Sequence, residues 1–171
     1  MINGTSKTSV KSANLSDQEQ FETALFYQEN LMLKFNIVAA DWATLKQDAQ
    51  FIRERVFIQE QQIDAAEEWD AQDPISLHFV VYADLKPIAT ARLLDNNSIG
   101  RVAVLKAYRG QGIGQLLMLD IIQQAQKQQR KALKLSAQVH AIAFYQGLGF
   151  KVEGAEYLDC GIPHRDMSLI F

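Results

Sequence analysis

The sequence has only one cysteine, Cys160, among its 171 residues, so an intrachain disulfide is excluded. No apolar run approaches the roughly 20 residues that span a bilayer, and the start of the chain lacks the basic and apolar regions of a signal peptide. Acidic residues outnumber basic ones, with 20 Asp and Glu against 17 Lys and Arg. These absences predict a cytoplasmic protein with neither a membrane nor a nucleic-acid partner.

What remains is an ordinary globular composition, 48% hydrophobic and 22% charged, at about the length of one domain. Residues 1–33 are predicted to be an N-terminal extension. It would consist of a disordered tail to about residue 14 and a short helix opened by a capping box at residues 16–19. That helix could mediate self-association, which leaves a homodimer open. Residues 34–171 are predicted to form a single domain.

Periodicity within residues 34–171 alternates between strand and helix. Strands are expected at residues 34–39, 77–83, 88–94, 99–104 and 132–139 and in a final hairpin that turns at 159–161. Helices are expected at about 41–59, with Asp41 as the N-cap, and at 112–129 and 140–148. The predicted fold class is α/β, with a mixed, mostly antiparallel central sheet flanked by helices.

A glycine-rich stretch, Arg109-Gly110-Gln111-Gly112-Ile113-Gly114, follows one strand and opens the next helix. Backbone N–H groups of such a turn point outward, and the helix dipole adds positive potential, so phosphate is the expected ligand. A plain tight turn is the alternative. The spacing is not that of a dinucleotide fingerprint, and no Gly-Lys-Ser/Thr closes a Walker loop.

Arg109, Gly112 and Gly114 form an Arg-x-x-Gly-x-Gly pattern that resembles the acyl-CoA-binding signature of the GCN5-related N-acetyltransferases, or GNAT proteins. Residues 141–150 resemble the second signature of that family, A-x-x-(L/F)-Y-x-x-x-G-F. Three further stretches look like the ElaA-like branch of small bacterial GNAT proteins: Arg53-x-x-Val56-Phe57-x-x-Glu60-Gln61, Ser136-Ala137-Gln138-Val139-His140 and Gly161-Ile162-Pro163-His164. The resemblance covers residues 34–171 and implies the GNAT fold.

This resemblance implies acetyl-CoA as co-substrate and no metal. It assigns the main chain of Val102, Ala103 and Val104 to the pantetheine arm, in a gap between two splayed parallel strands. One amide near Val104 would polarise the thioester carbonyl. Gln138 stands near the position at which many members of the family carry an Asn that bonds to the pantetheine or the cofactor region. The amides expected to hold the pyrophosphate are those of Arg109, Gly110, Gln111, Gly112, Ile113 and Gly114.

The candidate catalytic residues are Tyr145, Glu60 and His78. Tyr145 matches the family tyrosine that protonates the departing thiolate, with core packing as the alternative. A base must remove a proton from the amine, and Glu60 or a chain of waters is preferred to His78. His140 is a further candidate base. His164, after Ile162 and Pro163, is expected to line the acceptor site.

Residues 60–73 hold six carboxylates and neither Lys nor Arg. Such a run is either a solvated loop or an electrostatic attraction for a cationic amine. Trp69 within it favours a binding role, since an aromatic face among carboxylates suits an ammonium group. The second interpretation predicts that cationic amines are preferred to acidic ones and that KM depends on salt.

The function predicted is N-acetylation of a primary amine, in a small molecule or a peptide, by direct attack in a ternary complex. Three alternatives stay open at this point. A longer acyl group could be transferred, because the motif binds CoA rather than the acyl chain. The domain could sense acyl-CoA without turnover. It could also be a Rossmann-like nucleotide-binding domain, although the antiparallel strands before the loop argue against that fold.

Overall fold

The computed structural model describes Glu22, Phe26 and residues 34–171. The predicted tail and capping box lie outside the described residues. Glu22 and Phe26 are both helical, within the segment where a short helix is expected. The division of the chain at residue 33 stays a prediction.

Seven strands form one sheet, in the order β1-β2-β3-β4-β5-β7-β6. Only the β4–β5 pair is parallel, and every other neighbouring pair is antiparallel. The predicted mixed, mostly antiparallel sheet is therefore confirmed. The strands are β1 Phe35–Ala40, β2 Leu77–Ala83, β3 Lys86–Leu93, β4 Ser98–Val104, β5 Ala132–Gln138, β6 Lys151–Asp159 and β7 Ile162–Ile170.

Four α-helices connect these strands: α1 Trp42–Arg53, α2 Ala65–Glu68, α3 Ile113–Lys127 and α4 Ile142–Gly147. Asp41 caps α1, as predicted, because its carboxylate accepts a hydrogen bond from the Thr44 N–H at 2.9 Å. The same helix continues as a π-helix, Glu54–Glu60. Short 3₁₀ turns occupy Asp73–Ile75, Lys106–Tyr108 and Val139–Ala141.

The two faces of the sheet are covered by different helices. On one face α1 packs its buried residues Leu45, Ala49 and Ile52 against Val80 and Ala103. On the other face α3 and α4 cover a larger core, in which Leu117, Met118 and Ile121 are fully buried. Alternate residues of β1, β2 and β4 therefore contribute to two separate cores. At the β5–β7–β6 end, however, α1 makes no extensive contact, and among residues 34–171 no helix covers this face, where Lys134, Ser136 and Asp166 are exposed.

Strand and helix positions agree with the sequence-based prediction to within a few residues, and the final hairpin turns at Cys160 and Gly161, both with positive φ. Two features were not predicted. The run at residues 60–73 contains α2 and a 3₁₀ turn rather than only a loop. The end of the first helix is also wound as a π-helix, a form that often occurs at functional sites.

Candidate active site

A gap opens in the sheet between β4 and β5. The two parallel strands pair only at their first residues, Ser98 with Lys134 and Ile99 with Leu135. Beyond these pairs they separate, although β4 runs on to Val104 and β5 to Gln138. Near the closed end β4 carries a bulge, where its register with β3 shifts and Arg101 has φ 53°. The predicted splayed strands are therefore present.

Main-chain groups of β4 point alternately to β3 and to the gap. The Leu105 N–H donates to the Ile88 carbonyl at 2.9 Å, and Val104 and Ala103 lie opposite Ala89 and Thr90. In an antiparallel ladder the residue before a bonded position turns its N–H and C=O away from the partner strand. The Val104 N–H therefore faces the gap, as the sequence interpretation requires. The main-chain N–H and C=O of Ala103 face β3, so they do not fit the predicted contact with the pantetheine arm.

The glycine turn lies beyond the open end of this gap. Gly110 and Gly112 have φ 71° and 79°, a region where a β-carbon is unfavourable. Gly112 is the N-cap of α3, and its carbonyl accepts the first helical bond, from Leu116 at 2.9 Å. The next amides, of Ile113 and Gly114, have no partner within the helix and are free for an anion.

Tyr145 lies on the α3 side of the gap, in α4. Its ring contacts Phe144 and Phe150 edge to face, with centroids 5.0 and 6.1 Å away. A β-carbon at Gly114 would lie 3.4 Å from Phe144 and 3.8 Å from Val104, so α4 is packed close to the end of β4. Burial raises the pKa of the Tyr145 phenol to about 12, which keeps the hydroxyl protonated and able to donate.

Known proteins share this arrangement. Residues 42–171 match the family described as acetyltransferase (GNAT) domain. The uncharacterised N-acetyltransferase YjcF of Bacillus subtilis is 36% identical over 135 residues, or 77% of this chain and 96% of YjcF. The chain belongs to the GNAT family of acetyltransferases. It is therefore an acyl-CoA-dependent N-acyltransferase, with acyl-CoA as its co-substrate.

Solved structures agree on the branch. An acyl-CoA N-acyltransferase from Pseudomonas aeruginosa superimposes with a TM-score of 0.71 at 31% identity, covering 78% of this chain and 98% of that one. Escherichia coli ElaA gives a TM-score of 0.71 at 27% identity, with the same coverage. The resemblance to the ElaA-like group is thus confirmed. Within the described part of the chain, no helix is long and apolar enough to cross a membrane.

Glu60, the base preferred from the sequence, is hydrogen-bonded to Arg109 of the glycine turn. Its two carboxylate oxygens accept from the two terminal nitrogens of Arg109 at 2.6 and 2.8 Å, while Arg109 Nε donates to the Val104 carbonyl at 2.9 Å. The hydrogen bond from Arg109 lowers the pKa of the Glu60 carboxyl. A less basic carboxylate with both oxygens occupied is a poor proton acceptor. The role of Glu60 as base stays a prediction, and its contacts with Arg109 tie it to the glycine turn.

Gln138 lies on the opposite face of the gap from Tyr145. Its amide exchanges hydrogen bonds with the Gln61 amide, at 3.0 and 3.5 Å. Gln61 follows the π-helix, and its N–H donates to the Val56 carbonyl five residues back. The wider π turn therefore directs Glu60 to the glycine turn and Gln61 to β5. Contact of Gln138 with the cofactor stays a prediction.

His78 is not at the gap. Only 1% of it is exposed, its ring packs 4.6 Å from that of Trp42, and its Nε2 lies 2.8 Å from the Asp73 carbonyl, to which it must donate. Burial lowers the pKa of this imidazole. His78 lies on β2, two strands away from β4, and pairs with Arg92 of β3. Arg92 in turn lies opposite Gly100 of β4, near the closed end of the gap. These contacts disfavour His78 as the base, and that role stays a prediction.

The other two histidines differ in position. His140 is exposed, in the 3₁₀ turn after β5. His164 lies beside Gln138 in the β5–β7 pairing, with its Nδ1 2.8 Å from the Ile162 carbonyl and its ring stacked on that of Tyr157. The predicted acceptor-site residue His164 is thus beside the gap, on the face that α1 leaves open.

The acidic run is only partly solvated, because two of its carboxylates, Glu68 and Asp73, are buried in ion pairs. Asp73 accepts from Arg53 at 2.8 Å and from Arg92 at 2.6 Å, and all three side chains are buried. Glu68, only 2% exposed, accepts from Arg53 at 2.5 Å and lies 3.1 Å from Arg101. Burial is the larger influence on Glu68 and raises the pKa of its carboxyl.

Trp69 is also engaged within the protein. Its ring lies 4.9 Å from the guanidinium carbon of Arg53, so an internal cation already occupies the aromatic face that was predicted to bind an ammonium group. Asp70 accepts two bonds of 2.7 Å from Arg92. Four of the six carboxylates of the run are therefore paired with arginines, whereas its position facing the acceptor stays a prediction. The run is pinned to β3 and β4 by arginines.

Three side chains near the gap were missed by sequence reasoning. Tyr157 of β6 donates to Asp166 of β7 at 2.7 Å, and its hydroxyl lies 2.5 Å from that of Ser136 in β5. Ser136 stands in a stretch that carries the ElaA resemblance, which was the only signal available. Tyr157 and Asp166 lie in the two strands of the last hairpin, and nothing in the sequence distinguishes them from other exposed strand residues.

Proposed function

We propose that this enzyme transfers the acetyl group of acetyl-CoA to a primary amine, by direct attack of the amine within a ternary complex. The observation that carries the proposal is the gap between β4 and β5, with the Val104 N–H facing it and the Gly112 turn at its open end. A donor fixed toward the gap can stabilise the charge that develops on a thioester oxygen. The turn offers amides to a pyrophosphate.

The side chains of Tyr145 and Arg109 support this proposed reaction. Tyr145 keeps its proton at neutral pH and belongs to the buried core against which Val104 packs, so it would donate a hydrogen bond to the departing sulfur. Arg109 fixes the turn by bonding at once to Glu60 and to the Val104 carbonyl.

Cys160, the only cysteine, lies in the exposed hairpin turn at the end of β6, and burial raises the pKa of its thiol. A thiol disfavoured as thiolate is a poor nucleophile, which favours direct attack over an acyl-cysteine.

The amine would approach from the open face of β5, β7 and β6. Gln138 and His164 lie there, opposite the face that Tyr145 occupies. In this proposal the amine adds to one face of the planar thioester carbonyl from the side of Gln138 and His164. The sulfur leaves from the tetrahedral intermediate and is contacted from the Tyr145 side of the gap.

The test is a turnover assay with acetyl-CoA and a panel of probe amines: putrescine, benzylamine, L-lysine amide and L-glutamate. Acetylated product should accumulate in step with free CoA, both read by liquid chromatography because the exposed Cys160 would react with thiol reagents. Calorimetric titration with acetyl-CoA, CoA and NAD should show binding of the first two only. Binding of acetyl-CoA without amine-dependent CoA release would instead support an acyl-CoA sensor.

A further inference from the structure

The backbone of β4 is strained close to the point where this strand leaves β5. The β4–β5 pairing ends at Ile99, and two residues later Arg101 has φ 53°. Arg101 and Val102 together lie opposite the single Ala91 of β3, so they form a β-bulge. A bulge whose first residue has a positive φ usually carries glycine there, because a β-carbon is unfavourable in this region. The surroundings of Arg101 must therefore impose its conformation.

The Arg101 side chain is anchored in the acidic run. Its Nη2 lies 3.1 Å from the Glu68 carbonyl oxygen and from Asp70 Oδ2, and 3.3 Å from the Glu67 carbonyl oxygen. Its Nε lies 3.1 Å from the Glu68 carboxylate. That carboxylate is buried and also accepts from Arg53 of α1 at 2.5 Å, so the anchor is itself fixed to the first helix.

This bulge lies where the gap begins. A bulge bends its strand and interrupts the pairing, so β4 turns away from β5 just beyond Ile99. Three residues after Arg101, the Val104 N–H faces the gap that this divergence opens. If Arg101 relaxed to an extended backbone, β4 would be free to continue its pairing with β5, and the gap would narrow.

We propose that the contacts of Arg101 with residues 67–70 hold the bulge in its strained form and so keep the gap open for the pantetheine arm, an inference that rests on the acetyl transfer proposed above. Arg101 is then a positioning residue, which acts through the β4 backbone and does not touch the reacting atoms. The anchor favours the open arrangement of β4 over the relaxed one, and only the open arrangement binds CoA. Residues 67–70 thereby take part in CoA binding from the other end of the gap.

The test compares CoA binding by Arg101→Ala and Arg101→Gly. Both variants lose the anchored side chain, but only alanine keeps the β-carbon that disfavours a positive φ. The parent and Arg101→Ala share that β-carbon and differ in the anchor. Calorimetric titration should give a Kd for CoA about 10-fold higher in Arg101→Ala, as the strain of one such residue implies, and within about threefold of the parent value in Arg101→Gly.

Gln129→Ala is the matched control. Gln129 is exposed and has φ 56°, and it lies after the end of α3 that is remote from the glycine turn. The substitution removes a side chain from the same kind of backbone at a distance from the gap, so the Kd for CoA should stay within about twofold of the parent value. An equally raised Kd in Gln129→Ala would make the effect general to such residues and overturn the inference.

Denaturant unfolding checks that each variant is folded under the conditions of the titration. If Arg101→Ala does not fold, Arg101→Asn takes its place, because Asn tolerates a positive φ better than Ala and still carries a β-carbon. Its Kd for CoA should exceed that of Arg101→Gly by about threefold.

Equal Kd values in the glycine variant and in its alanine or asparagine counterpart would overturn the inference. If both values match that of the parent, Arg101 serves only to hold the acidic run. If both are raised about 10-fold or more, the side chain is needed for a reason other than the backbone of the bulge. In either case the proposed acetyl transfer stands, whereas a parent enzyme that binds no CoA overturns the proposed function itself.

Discussion

The Tyr145 ring lies in a buried cluster with Phe144 and Phe150, and its pKa of about 12 lies well above that of a thiol, near 8.5. Full proton transfer to sulfur is therefore uphill, and hydrogen bonding to the developing thiolate is its larger effect. Tyr145→Phe should lower kcat about 10- to 100-fold while the Kd for CoA changes less than about twofold. Single-turnover rates and calorimetric titration measure the two quantities.

Tyr82→Phe is the control for this experiment. It removes a partly buried hydroxyl that donates to Asp48, on the face covered by α1 and away from the gap. Its kcat should match that of the parent. An unchanged single-turnover rate in Tyr145→Phe would reduce Tyr145 to a packing residue.

Gly112 combines a positive φ with the position where an anion meets the start of α3. Gly112→Asp adds backbone strain and a negative charge beside the amides, so it should weaken CoA binding at least about 100-fold. Gly154→Asp adds a similar strain, since Gly154 has φ 66° with open space around its α-carbon. If calorimetry finds CoA binding equally weakened in the two folded variants, strain rather than the anion site is responsible.

At the scale of elements, the segment from α2 to the start of β2 is held down by ion pairs rather than by an apolar face. Asp73 is the one carboxylate that joins the two buried arginines Arg53 and Arg92. Removing one partner of a buried ion pair leaves an uncompensated charge, so Asp73→Asn should lower the free energy of unfolding by about 3–5 kcal/mol. Denaturant unfolding followed by circular dichroism measures this change.

The exposed Glu67 gives the comparison on the same segment. Surface substitutions usually change stability by less than about 0.5 kcal/mol, and Glu67→Gln should do no more. Equal stabilities of the two variants would mean that the Asp73 ion pairs contribute nothing net, as some buried pairs do.

The neighbouring Asp70 makes the same segment sensitive to acid. Hydrogen bonds from Arg92 lower the pKa of its carboxyl to about 2, below the unfolded value of about 3.9. Its contribution to stability is therefore present above about pH 4 and is lost as the pH falls toward 2. The stability difference between the parent and Asp70→Asn should shrink over that interval in denaturant titrations. A constant difference would show that the carboxylate charge plays no part.

Prediction from the sequence succeeded for elements that neighbouring residues determine. It failed where side chains far apart in the sequence form ion pairs. The Asp41 cap, the hairpin turn at Cys160 and the strand that ends at Val104 depend on neighbours in sequence, and all three were predicted. The acidic run was misread because its partners, Arg92 and Arg101, lie on strands outside it. Likewise, periodicity alone cannot show that Tyr157 reaches Ser136, because a bulge in β6 sets their alignment.

At the scale of the molecule, three distant stretches meet around one gap. The end of the first helix contributes Glu60 and Gln61, β5 contributes Gln138, and the last hairpin contributes His164. The family resemblance predicted that each stretch matters. It could not say that Glu60 binds Arg109, since only the folded chain brings the glycine turn to the π-helix.

The same folded arrangement changes the expected electrostatics of the whole enzyme. Four carboxylates of the 60–73 run, Glu60, Glu68, Asp70 and Asp73, are paired with arginines. The carboxylates of Asp64 and Glu67 form no ion pair with an arginine within residues 34–171. A surface left with two such charges, on a chain of net charge −3, should steer a cationic amine only weakly.

We therefore expect kcat/KM for putrescine to fall less than about threefold between 0.01 and 0.1 M ionic strength, over which the Debye length shrinks from about 30 to about 10 Å. The variant with both Asp64→Asn and Glu67→Gln should show nearly the same salt dependence, since it removes charges that already act weakly. A fall of tenfold or more in the parent, abolished in the double variant, would mean that these two carboxylates attract the amine despite the pairing of their neighbours. In that case the amines that the enzyme prefers would be set by its surface charge as well as by the gap.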